Sequence, residues 1–208
     1  MSCYTPQYTG VNHLAMATGN MDTTVRFWRD LLGMPLVAGL GRKGYRQYFF
    51  SLSATDMIAF FEWPEVEPLE EKDHGVPVRG RYAFDHVAIG VVDSDALWAV
   101  RDRLEAAGIW VSEPVDHGFI HSIYTFDPNG IALEFSHPVS GVELREHPRM
   151  ADTHPSEEAL RGPDPLCSAW PDAMHVAGTP RAERAVYPGE GNDFLHTKHN
   201  VWGDARKK

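Results

Sequence analysis

Cysteine is nearly absent from the 208-residue chain: Cys3 and Cys167 are the only two. Two cysteines build no disulfide framework and their spacing offers no zinc knuckle, so a reducing compartment is the expectation. Long apolar runs are missing too, and none approaches the ~20 residues of a membrane span. The opening Met1-Ser2-Cys3-Tyr4-Thr5-Pro6 lacks the basic and apolar parts of a secretory signal, which points to the cytoplasm. Positive charge is in deficit, with 19 Lys and Arg against 29 Asp and Glu, a formal net charge of −10. Such a chain is expected to bind neither nucleic acid nor an anionic membrane. Hydrophobic content of 43% is ordinary, and the length suffices for one good core or two small ones.

What the chain does have is 11 histidines and a repeat. Residues 1–10 read as an irregular arm. Val11-Asn12-His13-Leu14-Ala15-Met16 alternates into a strand, and Asn20-Met21-Asp22 offers capping chemistry for a helix. Val25, Phe27, Trp28, Leu31 and Leu32 give that helix an apolar face, and Gly33 followed by Pro35 stops it. Gly39 to Gly44 reads as a flexible loop, Tyr45 to Ser53 and Asp56 to Trp63 as a hairpin, and Pro64 to Arg81 as a linker. Then the order recurs. Phe84-Asp85-His86-Val87-Ala88-Ile89 repeats the pattern around His13. Asp93-Ser94-Asp95 starts a second helix with the stripe Leu97, Val100, Leu104, Ala107, and Gly108 ends it. Ile109-Trp110-Val111 begins the next strand. The interval from His13 to Glu62 matches that from His86 to Glu134 within one residue. Each half is therefore strand, helix, then two or three strands, and an internal repeat of this length is a stronger sign than any single motif.

The second half closes on Val115 to Glu134, read as a strand, a tight turn and a second strand. Ser122 and Tyr124 fall on one face, Ile123 and Thr125 on the other. In Asp127-Pro128-Asn129-Gly130, Pro pre-sets φ and Asn-Gly tolerates a tight reversal. Glu134 stands in the apolar run Ile131 to Phe135, where a carboxylate is costly unless paired or bound to a cation. Beyond Pro138 the chain is rich in Pro, Gly, His and charge. Val142-Glu143-Leu144 is expected to prolong the last strand and Ser156 to Leu160 to form one helical turn. This extension, residues 139–208, has no core of its own; it either wraps the domain or a partner through Trp170, Tyr187, Phe194 and Trp202, or is disordered.

A histidine in an apolar strand is commonly a hydrogen-bonded core residue. Two at matching places in a repeat are different. Paired by pseudo-symmetry, His13 and His86 with Glu134 form a two-imidazole, one-carboxylate set on one face, the arrangement of non-haem Fe(II) sites. Fe(II) is the favoured ion; Mn(II), Zn(II), Ni(II) or Co(II) suit the same groups. Glu62 is the candidate for a fourth ligand by symmetry with Glu134, or else a strand-end carboxylate facing water.

These residues resemble the vicinal oxygen chelate superfamily, which includes glyoxalase I, bleomycin and fosfomycin resistance proteins and type I extradiol dioxygenases. The likeness covers roughly residues 9–138. It rests on Asn12-His13-Leu14, Phe27-Trp28 with Leu31-Leu32-Gly33-Met34, Asp85-His86-Val87-Ala88, and Asp127-Pro128-Asn129-Gly130 with Glu134. It implies an α+β fold: two pseudo-symmetric βαβββ modules, about 9–64 and 82–138, forming a curved mixed sheet around a divalent metal on His13, His86 and Glu134. Val115, His117, Ile123-Tyr124, Asp127-Pro128-Asn129-Gly130 and Glu134 also resemble the extradiol signature. That likeness implies that Tyr124 and His117 line the pocket and bond a chelated substrate and bound oxygen. One departure stands out: those enzymes place an acid/base histidine in the first module, whereas Tyr48 to Trp63 has none, with Asp56 and Met57 near that place. His121 or His74 then substitutes, or the reaction is not ring cleavage. The leading expectation is a metal-dependent dioxygenase using O₂ on a small catechol-like or vicinal-oxygen substrate, with a homodimer as the candidate assembly. A glyoxalase-I-like lyase or epimerase with a non-redox metal is the alternative, and a metal-free binding or resistance protein a second.

Overall fold

The computed structural model describes residues 7–81, 84–166, 179–189, 191 and 200–202. Cys3, Cys167, Trp170 and Phe194 lie outside the described residues. Residues Thr9–Ala151 form one compact unit, and Met1–Tyr8 with Asp152–Lys208 a second.

The first unit is α+β and carries the repeat. Its first module runs β1 (His13–Thr18), helix α1 (Met21–Val25) continued by π-helical turns over Arg26–Leu31, β2 (Leu36–Arg42), β3 (Tyr45–Ser51) and β4 (Met57–Glu62). The second runs β5 (Val87–Gly90), α2 (Ser94–Ala106), β6 (Val115–Asp116), β7 (Ile120–Phe126) and β8 (Ala132–Pro138). Each module folds its own four-stranded mixed sheet, ordered β1-β4-β3-β2 and β5-β8-β7-β6. In both, the first strand pairs the last in parallel and the other pairings are antiparallel. The two histidine-bearing ends, at β1 and just before β5, therefore lie at sheet edges.

Local chemistry accounts for the elements. Asn20 and Asp93 cap the two helices, accepting from the backbone N–H of Thr23 and Ala96. Leu97 and Leu104 bury the helix stripe of α2, while Ala107, assigned to that stripe, is instead its exposed C-cap. Trp28, Phe50, Phe60, Phe135, Leu104 and Ile123 are fully enclosed in one core that both modules share.

The turn Asp127 to Gly130 latches the modules together. Trp28 Nε1 donates to Asp127 Oδ2 (3.2 Å) and Asn129 Nδ2 to Thr24 Oγ1 (3.3 Å). Asp127 also accepts from the backbone N–H of Asn129 and Ile131 and from Asn129 Nδ2. Gly130 has φ of +73°, and a Cβ there would stand 2.2 Å from the Leu69 carbonyl oxygen, so the position requires glycine twice over.

Three readings of the strands need correction. Gly39 to Gly44 is not a loop: β2 continues to Arg42, and only Lys43-Gly44 turns, with Gly44 at φ +82°. Glycines at 39 and 41 hid the strand, because they weaken the side-chain pattern that marks one. Ile109 to Val111 does not begin a strand; Val111 makes a single bridge to Thr125 and β6 is only Val115–Asp116. Val142 to Leu144 does not prolong β8, because the chain turns back at Val139, whose carbonyl accepts from Val142 N–H. The second unit, among its described residues, has two short 3₁₀ helices, Ala159–Arg161 and Arg181–Glu183. Tyr187 and Trp202 are exposed there and so bury no side-chain core.

Candidate metal centre

On β5 burial alternates: Val87 and Ile89 turn into the core, and Ala88 and Gly90 face the other way. His86, one residue before Val87, shares the face of Ala88. Ala88 pairs with Glu134, and Glu134 pairs with Tyr124 on the far side. Three strands thus deliver His86, Glu134 and Tyr124 to one surface. His86 Nε2 lies 2.8 Å from Glu134 Oε2, and Glu134 is 4% exposed. Ser122 Oγ donates to the other carboxylate oxygen of Glu134.

The far nitrogen of His86 is also held. Its Nδ1 is 2.7 Å from Asp85 Oδ1, and Asp85 is held by the Gly75 N–H and Lys72 Nζ, each at 3.0 Å. The His86 bond first, then those from Gly75 and Lys72, keep the Asp85 carboxyl far below the usual carboxylate range. Tyr124 OH is 2.8 Å from His117 Nε2. Burial, then the neighbouring Glu134 charge, pushes the Tyr124 phenol up. The His74 ring stacks on Tyr124 with centroids 3.3 Å apart and meets His86 edge-on at 5.9 Å. Burial, followed by the His86 charge, pushes the His74 imidazole down.

His13 stands apart from this group. It is exposed at the start of β1, with Nδ1 2.9 Å from Asn12 Oδ1 and its ring edge-on to Phe49 at 5.5 Å. Among the described residues no three His, Cys, Asp or Glu side chains converge to hold one ion. The registers nonetheless make His13 the counterpart of His86. Ala15 pairs with Ala59 as Ala88 pairs with Glu134, and Ala59 pairs with Phe49 as Glu134 pairs with Tyr124. The first module therefore keeps the histidine and carries Ala59 and Phe49 where the second carries Glu134 and Tyr124.

Glu62 is not the symmetry mate of Glu134. It pairs with Thr18, accepts from Met21 N–H (2.8 Å) and binds Arg46. Counting residues placed it wrongly, because the chain between β1 and β4 does not match its counterpart in length. His121 also does not join the group. It sits on β7 at odd parity to Ser122 and Tyr124, facing the opposite side, where its ring meets His137. The stacking of His74 was not legible in the sequence, since a Pro-, Gly- and charge-rich segment has no periodicity to aim a side chain. Asp85 did leave a signal, as a hydrogen-bonding residue directly before each repeat histidine, Asn12 in the first module.

His86 and Glu134 bring together two donors of the kind a divalent ion takes. Glu134 offers a buried carboxylate, and the carboxylate on His86 Nδ1 orients the opposite nitrogen in the manner of metal-ligating histidines.

A family model of the Glyoxalase/Bleomycin resistance protein/Dioxygenase superfamily matches residues 10–135. The chain belongs to that superfamily. It is 26% identical over 132 residues to a lactoylglutathione lyase of Haemophilus influenzae, covering 59% of this chain and 88% of the relative. It is 28% identical over 157 residues to the glutathione transferase FosA of Serratia marcescens, covering 72% of this chain and 97% of the relative. In fold it is similar to a glyoxylase/bleomycin resistance protein/dioxygenase domain from Frankia sp. EAN1pec, with a TM-score of 0.54, 19% identity, and coverage of 68% of this chain and 100% of that one. No helix among the described residues is long and apolar enough to cross a membrane.

Proposed function

We propose that the chain is a metal-dependent lyase-type enzyme acting on a small molecule with adjacent oxygen functions. The observation that carries this reading is the His86–Glu134 pair, 2.8 Å apart, with Asp85 behind it and the Tyr124–His117 pair beside it. The relatives named as a lyase and a glutathione transferase favour non-redox chemistry over ring cleavage and O₂. A divalent ion would be held by His86, Glu134 and His13, the last supplied by a second copy of the chain, since His13 is exposed on an edge strand away from the other two. Ala59, at the register position that Glu134 holds in the second module, would supply no further ligand. A divalent ion bound there supplies Lewis-acid polarisation of substrate oxygens.

The side chains do the rest. Ser122 holds Glu134 in place and Asp85 holds His86. Tyr124, its phenol kept protonated by burial, donates a hydrogen bond or its proton to a developing oxyanion, and His117 behind it replaces the proton that the phenol gives up. A cleft in the first module, lined by Arg42, Lys43 and Arg46 with Tyr45, Tyr48 and Glu62, suits the carboxylates of a glutathione-like thiol conjugate.

A dioxygenase is the second reading, favoured by the same His117–Tyr124 contact, which the extradiol resemblance implies. The experiment is metal analysis of anaerobically purified wild type and Glu134→Gln, followed by assays of 2-oxoaldehyde–thiol adducts under argon and catechols in an oxygen electrode. Turnover under argon with Zn(II), Ni(II), Co(II) or Mn(II) establishes the lyase reading. Turnover requiring both Fe(II) and oxygen replaces it with the second.

A further inference from the structure

The opposite face of the second sheet carries a row of three polar side chains. Asp116 pairs with His121 across β6 and β7, and His121 pairs with His137 across β7 and β8, so all three stand on one rung of neighbouring strands. Directly opposed residues on antiparallel strands bring Cβ atoms to about 4.5–5.5 Å, close enough for two imidazoles to share a ligand. The rung opens into a cavity of about 190 Å³ beneath α2, lined by Leu97, Trp98 and Pro114 beside the three.

His137 decides what the cavity wants. It is 9% exposed, and its Nδ1 lies 3.0 Å from the carbonyl oxygen of Pro138. A carbonyl only accepts, so Nδ1 carries a proton, and in the neutral ring Nε2 is the lone-pair nitrogen. That Nε2 is buried and, among the described residues, has no hydrogen-bond partner. A histidine whose Nδ1–H is tied to a backbone carbonyl presents Nε2 as metal ligands do. Across from it, the His121 ring stands edge-on with centroids 5.1 Å apart, and His121 Nε2 lies 3.5 Å from Asp116 Oδ1. The three do not yet converge on one point. His121 and Asp116 are the exposed members, with side chains 40% and 69% accessible, and have room to turn toward the fixed His137.

We propose that Asp116, His121 and His137 form a second metal site, distinct from the His86–Glu134 centre, for a borderline divalent ion such as zinc(II), nickel(II) or cobalt(II). Two imidazoles and a carboxylate suit these ions better than calcium or magnesium. An ion there ties the two-residue edge strand β6 to β8. Asp116 directly precedes His117, so the same ion fixes the strand end from which the partner of Tyr124 follows.

The test uses zinc alone, with stoichiometry by calorimetry and by mass spectrometry after dialysis. In Glu134→Gln, where the first centre is disabled, one zinc per chain still binds, and adding His121→Ala or His137→Gln abolishes it. His121→Ala changes a half-exposed side chain and serves if the buried substitution unfolds the chain. Zinc uptake by Glu134→Gln that neither change diminishes, or no uptake by Glu134→Gln at all, overturns the proposal. Failure of the first centre shows differently, as equal zinc uptake by wild type and Glu134→Gln.

Discussion

Ala59 occupies in the first module the rung that Glu134 occupies in the second: each lies between the histidine-bearing edge strand and the strand carrying an aromatic partner, Phe49 or Tyr124. The consequence is a lopsided pair of half-sites. One gives a histidine; the other gives a histidine, a carboxylate and a phenol. Glu62, three residues beyond that position, is committed to Met21 N–H and Arg46. Glu62→Gln is expected to leave metal content unchanged and to lower stability by about 1 kcal/mol, the net scale of one ordinary hydrogen bond. Glu134→Gln is expected to lose the ion of the His86–Glu134 centre. Metal analysis and urea unfolding of the two variants, run together, check the contrast; metal loss in Glu62→Gln would return Glu62 to the centre.

The repeat, both helices, most strands and the Asp127–Gly130 turn were legible because each rests on a local signal: apolar spacing, a capping side chain, or a residue suited to a reversal. His86 and Glu134 were legible for the same reason, as polar residues in strands that otherwise bury apolar ones. The register of β1 on β4 was not. A parallel pairing is set by how the intervening helix and hairpin pack, and a slip of a single residue turns the opposite face. Tyr124 was placed beside Glu134 by a tight turn of fixed length, whereas His121, one strand position from Ser122, was assigned a catalytic role that period-2 alternation carries to the other face. His74 reaches the centre through a segment with no repeating pattern, so only the folded chain reveals its stack on Tyr124.

Asp85 bears on affinity rather than on chemistry. It touches His86 through Nδ1 and is itself held by Lys72 and Gly75 of the inter-module segment. Asp85→Ala removes the group that fixes the imidazole tautomer, and metal affinity is expected to fall by about 10- to 100-fold. At saturating metal kcat is expected to recover toward wild type. Competition with a chromophoric chelator measures the first quantity and metal-saturated assays the second; unchanged affinity would show that the contact does not orient His86.

Asp127 gives a prediction in pH. Its carboxyl is 4% exposed, and burial raises its pKa above the ordinary 3.8, with the bonds from Asn129, Ile131 and Trp28 opposing the rise. A group with a raised native pKa binds its proton more tightly when folded. Its contribution to stability is therefore fully present below about pH 3.8 and is lost as pH rises through the native value. Subtracting the unfolding free energy of Asp127→Asn from that of wild type should give a difference that falls over this window and is flat above it. Asp127→Ala leaves Trp28 Nε1 buried without its acceptor and should cost roughly 2–4 kcal/mol at neutral pH. Urea titrations at several pH values check both; a difference that grows with pH would mean that Asp127 is stabilised as the carboxylate.

The sharpest consequence of the lopsided half-sites concerns assembly. If His13 of one copy completes the His86–Glu134 pair of another, a two-fold dimer holds two composite centres, each drawing on both chains. His13→Ala alone and Glu134→Ala alone then each disable both centres. In a mixed dimer the two lesions fall together in one centre and the other is wild type. Mixing the two inactive proteins after mild denaturation and refolding should restore activity to about a quarter of wild type, because about half of randomly paired dimers are mixed and each carries one intact centre of two. A centre built within one chain predicts no recovery, since every chain would still carry a broken site. Metal analysis of the refolded mixture reads the same outcome without a substrate: uptake above that of either parent means a shared centre, and no gain over the parents means that His13 must reach His86 and Glu134 within its own chain or not at all.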